Sequence, residues 1–350
     1  MMVRAICGRE FTRNFVRFGG GEKPAKGDGL ETVACNLCGS QDYSAVYSMP
    51  DRLYFREEFF TVVECNRCGL GFLNPRPTMV EMQKYYPAEY FDNAPTKSNV
   101  RYMKRRFSKE ASYLRSVEKR AGPKRLLDVG CADGAFPRFM ASRGWDVEGV
   151  EISGVAQTIK DFQVHTEEFQ NIPVSEPRYD AVTAWAVLEH VHDPMAYFRK
   201  ASAVLKKDGL LVFLVPNFVS VASRRLFCED VPRHIYFFTR ETVRQYLEKN
   251  GLRLEAEDNG RSIYKLAPNN WLGYMVRTRL LGREYRYEDV PLTSKEFRRL
   301  RGLPSGLVTS LKYAGYSPVS VIDRMLWPVI EAAQMLVKRY GVSTYVARKV

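Results

Sequence analysis

The sequence predicts an α/β protein with a mostly parallel, doubly wound sheet, preceded by a small cysteine-rich module. Residues 125–136 read as a short apolar strand, a turn of small residues and the start of a helix. Short apolar runs then alternate with helical segments of about ten residues, which is typical of a parallel sheet. Two Cys-x-x-Cys pairs precede this region, in a chain of 350 residues that has room for several domains.

Composition and charge narrow the class of protein. Hydrophobic residues make up 45% and charged residues 27% of the chain, as in ordinary globular proteins. No apolar run approaches the ~20 residues that span a bilayer, and the N-terminus has no apolar signal-peptide core. We therefore expect a cytoplasmic protein. The net charge of +13 favours an anionic partner, such as a phosphorylated metabolite, nucleic acid or a membrane surface, and a basic solubility surface explains it equally well.

The cysteine-rich module predicts a zinc ribbon over residues 31–72, after a disordered basic lead-in at 1–30. Each Cys-x-x-Cys turn directs two thiolates at one point, and a glycine follows each pair. Two such turns form a closed, tetrahedral site, so the zinc is expected to be structural. A redox pair and disulfides are the alternatives, and without a signal peptide disulfides are disfavoured. The ligands are Cys35, Cys38, Cys65 and Cys68.

A helical linker is expected at residues 73–121. Thr78 can cap a short helix, and a basic amphipathic helix follows at 98–120, ended by Gly122-Pro123. Tyr85 and Tyr86 belong to an aromatic cluster in this linker. Such clusters pack in cores more often than they bind ligands, but the position also allows the two hydroxyls to line a substrate pocket.

The sheet domain is expected at residues 122–265, and its final strand, antiparallel to its neighbour, at 342–350. A helical, basic insertion at 266–341 separates the two. Within the domain we expect strands at 125–129, 146–150, 163–165, 179–184, 209–215 and 252–256, and helices at 135–143, 153–161, 195–205 and 241–249.

The turn after the first strand predicts the kind of ligand. Its spacing, Gly130-x-Ala132-x-Gly134, differs from the G-x-G-x-x-G of dinucleotide sites. Asp128, just before the turn, would repel a phosphate and suits a cationic cofactor that bears an amino acid. Glu151 ends the second strand about 20 residues later, where a carboxylate can bind ribose hydroxyls.

Five stretches of the chain resemble the class I S-adenosylmethionine (SAM) methyltransferases. The likeness is greatest to the group with an N-terminal zinc-binding domain, which includes deoxysugar C-methyltransferases, and to quinone-biosynthesis O-methyltransferases. It covers roughly residues 33–258 and the last strand. The stretches are LLDVGCADGAF, VEGVEIS, YDAVTAWAVLEHVHDP, LKKDGLLVFLVPN and PRHIYFFT.

The resemblance implies roles for individual residues around SAM. Asp128 and Gly130 would border its methionine part, and Gly134 would close the turn. Ala132 stands where the family often has glycine. Glu151 would bind the ribose. Ile152, Glu168 and Phe169 would lie at the adenine, and Trp185 would line the wall of the cofactor pocket.

Two histidines are candidates for the base that methyl transfer to a hydroxyl or carbon acid requires. His190 follows the fourth strand, and His234 lies in the loop after the fifth; a histidine base titrates near neutral pH. The alternative is that Glu189-His190 caps the next helix or braces its loop. His192 is expected to face solvent. Weaker candidates for substrate contact are Tyr85, Tyr86, Arg233 and Tyr236.

The insertion carries amphipathic segments at 271–281, 303–316 and 319–340. Residues 261–341 hold 14 Lys+Arg and 6 Asp+Glu, a balance of +8. Such helices pack on the protein's own core by default; they could also bind an anionic substrate, form a dimer or lie peripherally on an anionic membrane.

We therefore predict a SAM-dependent methyltransferase that acts on a small-molecule acceptor: a sugar nucleotide, a natural product, or a lipid-like or quinone-like precursor. An RNA methyltransferase and a non-catalytic scaffold are the alternatives. Against the former, residues 184–187 read Ala-Trp-Ala-Val and not the Asn/Asp-Pro-Pro-Tyr/Phe of amino-group base methylation. Against the latter, Asp128, Gly130, Gly134 and Glu151 are all present.

Overall fold

The computed structural model of the chain describes residues 29–54, 56–87, 90, 100–173, 176–260, 270–290 and 318–350. The expected lead-in lies outside the described residues as far as residue 28, and the expected segment at 303–316 lies outside them entirely. Leu30, which the sequence placed in the lead-in, instead begins the first strand, because it pairs with Pro77.

The strands form a large sheet and two small ones. In chain order they are β1 (Leu30–Glu31), β2 (Tyr43–Pro50), β3 (Phe59–Cys65), β4 (Gly71–Leu73), β5 (Arg76–Pro77), β6 (Lys124–Val129), β7 (Trp145–Val150), β8 (Gln163–His165), β9 (Tyr179–Trp185), β10 (Leu205–Pro216), β11 (Tyr236–Phe237), β12 (Leu252–Asp258) and β13 (Val342–Lys349).

The large sheet confirms the predicted fold class. Among the described residues it has seven strands in the order β12-β13-β10-β9-β6-β7-β8. Neighbours from β10 to β8 run parallel. β13 runs antiparallel to both β10 and β12. The carboxyl ends of β6, β7 and β9 therefore meet at one edge, where this type of fold binds its ligands.

The helices cover both faces of this sheet and form the described part of the insertion. They are α1 (Met79–Met82), α2 (Val100–Ser112), α3 (Arg115–Glu118), α4 (Ala135–Ala141), α5 (Pro194–Val204), α6 (Val221–Arg225), α7 (Arg240–Lys249), α8 (Trp271–Met275) and α9 (Pro318–Leu336). A π-helical turn, Val276–Leu280, extends α8.

Two predicted helices differ from those observed. The helix expected at 153–161 is wrong: Gly154–Thr158 forms only a 3₁₀ turn, after which Ile159 returns to extended backbone and is buried. The helix expected at 98–120 is divided into α2 and α3 by a turn at Leu114, which is fully buried. In both cases the burial of one apolar side chain outweighs local helix propensity.

The cysteine-rich module shares a sheet with the rest of the chain. β2, β3 and β4 pair antiparallel, and β11 adds to the free edge of β4 through Tyr236↔Phe72 and Phe237↔Gly71. Gly71 has no room for a side chain, because a Cβ there would lie 2.9 Å from Cβ of Phe237. One hydrophobic core runs from the module into the large sheet.

A second contact joins the first cysteine turn to the large sheet. Asn36 Nδ2 donates to Asp193 Oδ1 at 2.9 Å, and Asn36 Oδ1 accepts from the backbone N–H of Met195 at 3.0 Å. Asp193 is the N-cap of α5, since its carboxylate also accepts from the N–H of Ala196. The cysteine turn is therefore held at the helix that follows β9.

Candidate active site

The turn after β6 has the shape of a ligand cradle. Gly130 and Gly134 adopt φ of +71° and +76°, which strongly favours glycine. A Cβ on Gly130 would lie 2.5 Å from Cγ2 of Val187, and one on Gly134 would lie 2.8 Å from Cζ of Phe162. Both glycines are thus required by the close approach of neighbouring side chains.

Ala132 takes a left-handed conformation, with φ of +49°, although it is not a glycine. Its N–H donates to Oε2 of Glu151 at 2.9 Å, and Oε1 of Glu151 accepts from the N–H of Ser153 at 2.8 Å. The carboxylate therefore links the ends of β6 and β7. Because a carboxylate has about four acceptor positions, Glu151 retains capacity for ribose hydroxyls. Next to it the side chain of Ile152 is 66% exposed, which suits packing on a flat ring.

Asp128 is buried at the end of β6. Its Oδ1 accepts a hydrogen bond from Oγ1 of Thr183 at 2.6 Å. Burial raises the pKa of Asp128 to about 8, although the bond from Thr183 acts in the opposite direction. A cationic ligand beside this carboxyl would stabilise its ionised form.

Three other residues predicted to contact the cofactor differ from one another in how far they are buried. Glu168 is partly exposed, and its carboxylate accepts from the amide of Gln170. Phe169 is buried and packs edge-on against Tyr197, so its ring belongs to the core. Trp185 is buried against Phe136, and its indole N–H has no hydrogen-bond partner among the described residues. A buried donor without a partner is suited to an acceptor on a ligand.

The two candidate histidines lie side by side. The ring centroids of His190 and His234 are 4.7 Å apart, with the planes inclined at 77°. The loops that carry them are joined through the backbone, because the carbonyl of Glu189 accepts from the N–H of Ile235 at 2.8 Å. The structure therefore brings together residues from the loops after β9 and β10.

The surroundings of the two rings shift their pKa values in opposite directions. Nδ1 of His234 lies 2.7 Å from Oε2 of Glu229. Burial alone would lower the pKa of His234, but the carboxylates of Glu229 and Glu189 outweigh it and the pKa is raised. Nδ1 of His190 lies 3.0 Å from the carbonyl of Arg233, and burial together with the neighbouring His234 lowers the pKa of His190 to about 3. His190 is thus neutral near pH 7, and His234 is the stronger base.

Glu189 is the member of this cluster that the sequence did not predict. Its side chain is fully buried, neither carboxylate oxygen has a hydrogen-bond partner among the described residues, and burial raises its pKa to about 7. The interpretation that Glu189-His190 caps the next helix is wrong, because Asp193 is the N-cap of α5. Ligand atoms of Glu189, His190 and His234 lie within 4.8 Å of one another, so the cluster can share a proton or hold a divalent cation.

Of the weaker substrate candidates, Tyr86 has the side chain that reaches the cluster, with its hydroxyl 2.9 Å from Nδ1 of His190. The side chain of Tyr85 is buried in the module, and its hydroxyl donates to Glu58 at 2.8 Å. The side chains of Tyr85 and Tyr86, although adjacent in the chain, thus point in different directions. The prediction that Tyr85 lines the pocket is wrong, because its side chain faces the core.

Arg233 and Tyr236 are also structural. The guanidinium of Arg233 has no exposed surface and donates to Asp51 Oδ1 at 2.7 Å and to Asp230 Oδ1 at 2.7 Å. The hydroxyl of Tyr236 accepts from Arg76 Nη1 at 2.9 Å. Neither side chain is available to a substrate, so both predictions are corrected. His192 is not solvent-facing either: its Nε2 lies 3.1 Å from the carbonyl oxygen of Pro77.

The four cysteine thiols converge as a metal site requires. Their sulfur atoms lie within 4.8 Å of one another, with 3.4 Å between Cys35 and Cys68 and 3.5 Å between Cys38 and Cys65. Sulfurs around a tetrahedral zinc are about 3.8 Å apart, given Zn–S bonds of ~2.3 Å. Both turns close in the same way, through N–H bonds from Gly39 to Cys35 and from Gly69 to Cys65. The donor set fits a closed, structural zinc site.

Comparisons with known proteins find one matching family model and several similar proteins. Residues 100–257 match a family described as "Methyltransferase domain". The chain is 29% identical over 195 residues to the ubiquinone biosynthesis O-methyltransferase of Acinetobacter baumannii (strain ACICU), covering 47% of this chain and 82% of that one. It is 27% identical over 183 residues to the enzyme of the same name from Bordetella avium (strain 197N), covering 45% and 75%.

Solved structures matched by the chain include a SAM-dependent methyltransferase from Archaeoglobus fulgidus, with a TM-score of 0.40 and 18% identity over 70% of this chain and 94% of that one. Another is a geranyl diphosphate C-methyltransferase from Streptomyces coelicolor A3(2), with a TM-score of 0.40 and 14% identity, covering 69% and 76%.

Proposed function

We propose that this chain, a SAM-dependent methyltransferase, methylates a hydroxyl group on a small, quinone-like acceptor and uses His234 as the base. The observation that carries the proposal is the 2.7 Å contact between His234 and Glu229, in a loop whose backbone bonds to the loop after β9. The two similar proteins from Acinetobacter baumannii and Bordetella avium are ubiquinone biosynthesis O-methyltransferases, which supports a small-molecule acceptor and transfer to oxygen.

The cofactor would be held by the residues around the β6 turn. Asp128 and the indole N–H of Trp185 suit the charged amino-acid end, and Glu151 with Ile152 suits the ribose and adenine. Glu168 is the candidate for the adenine amino group. When bound, SAM supplies a methyl group on a positively charged sulfur. The chain's task is then to position the acceptor and remove its proton.

His234 is suited to proton removal because of its partner. If Nδ1–H donates to Glu229, Nε2 carries the lone pair, and the carboxylate stabilises the imidazolium that forms. The acceptor proton would be transferred to Nε2 of His234. Glu189, fully buried beside the ring and with its pKa raised to about 7, is the next group for that proton.

His190 and Tyr86 would position the acceptor. His190 is neutral at physiological pH because its pKa is lowered to about 3, so its ring is a hydrogen-bond partner rather than a cation. The hydroxyl of Tyr86, 2.9 Å from its Nδ1, extends the polar wall toward the linker. The zinc at Cys35, Cys38, Cys65 and Cys68 would hold the module whose sheet includes β11, two residues after His234.

The test is methyl transfer from radiolabelled SAM to three acceptors: a catechol with a short apolar tail, a nucleoside diphosphate keto sugar, and bulk transfer RNA. We expect turnover of the catechol that His234→Ala and Glu229→Ala reduce by at least ~100-fold, since general bases contribute about 10²–10⁴-fold. His165→Gln is the matched control, because this histidine pairs with Glu148 in the sheet.

If only the keto sugar is labelled, the methylated atom is carbon rather than oxygen, and the assignment of His234 as the base still stands. Labelling of only RNA would overturn the small-molecule acceptor. Full activity of His234→Ala on any acceptor would overturn the assignment of the base.

A further inference from the structure

Helix α9 buries polar side chains and exposes apolar ones, which is the reverse of an ordinary surface helix. Amphipathic helices normally bury their apolar residues and expose their polar ones. In the described part of α9, the buried polar side chains are Asp323, Glu331 and Gln334, which are 1%, 2% and 4% exposed. The large side chains that face outward are Ile322, Met325, Leu326, Val329 and Leu336.

Specific hydrogen bonds fix this orientation. The carboxylate of Asp323 accepts from the backbone N–H groups of Trp271 and Leu272, at 2.7 and 3.2 Å, and so caps the start of α8. Glu331 Oε1 accepts from the hydroxyl of Tyr340 at 3.0 Å. Both acids are spaced eight residues apart on one face of α9. Their bonds attach the polar face to the body of the protein and leave the apolar face outside.

The apolar face continues onto the neighbouring turn. Met325, Val329 and Leu336 are 75%, 68% and 82% exposed, and they repeat at helical spacing along one side of α9. Leu280 and Leu281, at the end of the turn that follows α8, are 77% and 59% exposed. Contiguous exposed apolar side chains of this kind mark a surface that binds another phase or molecule.

The charges around this face are almost all positive. In residues 270–290 and 318–341, the exposed cations among the described side chains are Arg279, Arg283, Arg286, Arg324, Lys338 and Arg339. Glu284 is the only exposed acid among them. A second copy of the same face would meet this charge with like charge, whereas anionic lipid headgroups complement it.

We propose that the outward face of α9, together with Leu280 and Leu281, binds the surface of an anionic lipid bilayer. The helix would lie in the plane of the interface, with its apolar side chains below the headgroups and the arginines at their level. No helix among the described residues is both long and apolar enough to cross a bilayer. This inference is independent of the base and acceptor proposed above.

The test is flotation of the full chain with vesicles of phosphatidylcholine alone or with 30% phosphatidylserine, in the absence of SAM and acceptor. We expect binding to the anionic vesicles that weakens with salt. Met325→Glu with Val329→Glu should lower the partition coefficient at least tenfold. Arg283→Glu should lower it about fivefold or more, since each basic residue near the surface contributes ~1 kcal/mol.

Val80→Glu is the matched control, because Val80 is an equally exposed apolar residue on α1, in the N-terminal part of the chain, and should leave binding unchanged. Unchanged SAM binding by the Met325→Glu, Val329→Glu variant shows that it is folded. Absence of binding to either vesicle overturns the proposal. A concentration-dependent dimer in sedimentation, abolished by the same two substitutions and without vesicle binding, would assign the face to a second copy instead.

Discussion

Nδ1 of His234 and Oε2 of Glu229 lie 2.7 Å apart, and the ring of His234 has a nitrogen within 4.8 Å of the buried carboxyl of Glu189. The five-residue spacing of this pair is local in sequence. The surroundings of the pair come from distant parts of the chain, because the loops after β9 and β10 and the cysteine-rich module all contribute to them. This pair determines the pH at which the proposed base is free.

The pair predicts how methyl transfer depends on pH. Protonated His234 cannot accept a proton, so the single-turnover rate of methyl transfer should rise with pH through the pKa of His234, which is raised above its ordinary value of 6.5. Glu229→Gln removes a carboxylate that raises this pKa, and burial then lowers it. The rising limb should therefore move to lower pH while the maximal rate falls. A pH profile of single-turnover rates measures this; an unmoved limb would show that another group is titrating.

Loss of zinc from the proposed four-cysteine site should abolish methyl transfer through the loop of His234. Cys65→Ser deletes one ligand, and structural zinc contributes directly to folding free energy. Because β11 pairs with β4 of the module, loss of zinc should displace His234 as well. We expect zinc content to fall from about one per chain and methyl transfer to be lost. Cys228→Ser, at an exposed cysteine outside the cluster, should keep both zinc and activity; equal losses in the two variants would contradict the proposed ligand set.

The β6 turn should tolerate no side chain at Gly130. A methyl group there would lie 2.5 Å from Val187 and would also require a left-handed alanine, which costs ~1–2 kcal/mol. SAM titrated by calorimetry should therefore bind Gly130→Ala at least about tenfold more weakly. Gly154→Ala is the matched control, since a Cβ at Gly154 meets nothing within 4 Å. Ala132→Gly should bind SAM at least as well as the natural chain, and weaker binding would contradict the strain assigned to Ala132.

The buried ion pair between Arg233 and Asp51 should contribute to stability rather than to substrate binding. Arg233→Met removes the guanidinium that pairs with buried Asp51 at 2.7 Å and leaves only the longer 3.8 Å pair with Arg56; breaking a buried pair typically costs about 3–5 kcal/mol. Thermal unfolding should show a clear fall in Tm. Arg244→Ala, which breaks exposed ion pairs on α7, should change Tm little. A normal Tm with a raised KM for the acceptor would restore Arg233 as a substrate contact.

Much of this architecture could be predicted because its signals are local. The turn at Gly130–Gly134, the acids at the ends of β6 and β7, and the two cysteine turns each lie within a few residues, so spacing alone indicates their geometry. The seventh strand followed from the fold, and β13 lies where it was expected.

The remaining features depend on which way a side chain faces. Tyr85 and Tyr86 are adjacent and both aromatic, yet one is buried in the module and the other contacts His190. Periodicity shows that α9 is amphipathic but cannot say that Asp323 and Glu331 point inward. Glu189 depends on two loops that meet only in the folded chain, so no pattern in the sequence could identify it as part of the cluster.

The pairing of β11 with β4 has a consequence for synthesis of the chain. Gly71 and Phe72 leave the ribosome early, but Tyr236 and Phe237 leave it only after the strands β6 to β10. The edge of β4 is therefore unprotected during most of translation, and unpaired strand edges promote aggregation. Folding of the cysteine-rich module alone would not cover this edge, so the yield of soluble protein should depend on how soon β11 follows β4 out of the ribosome.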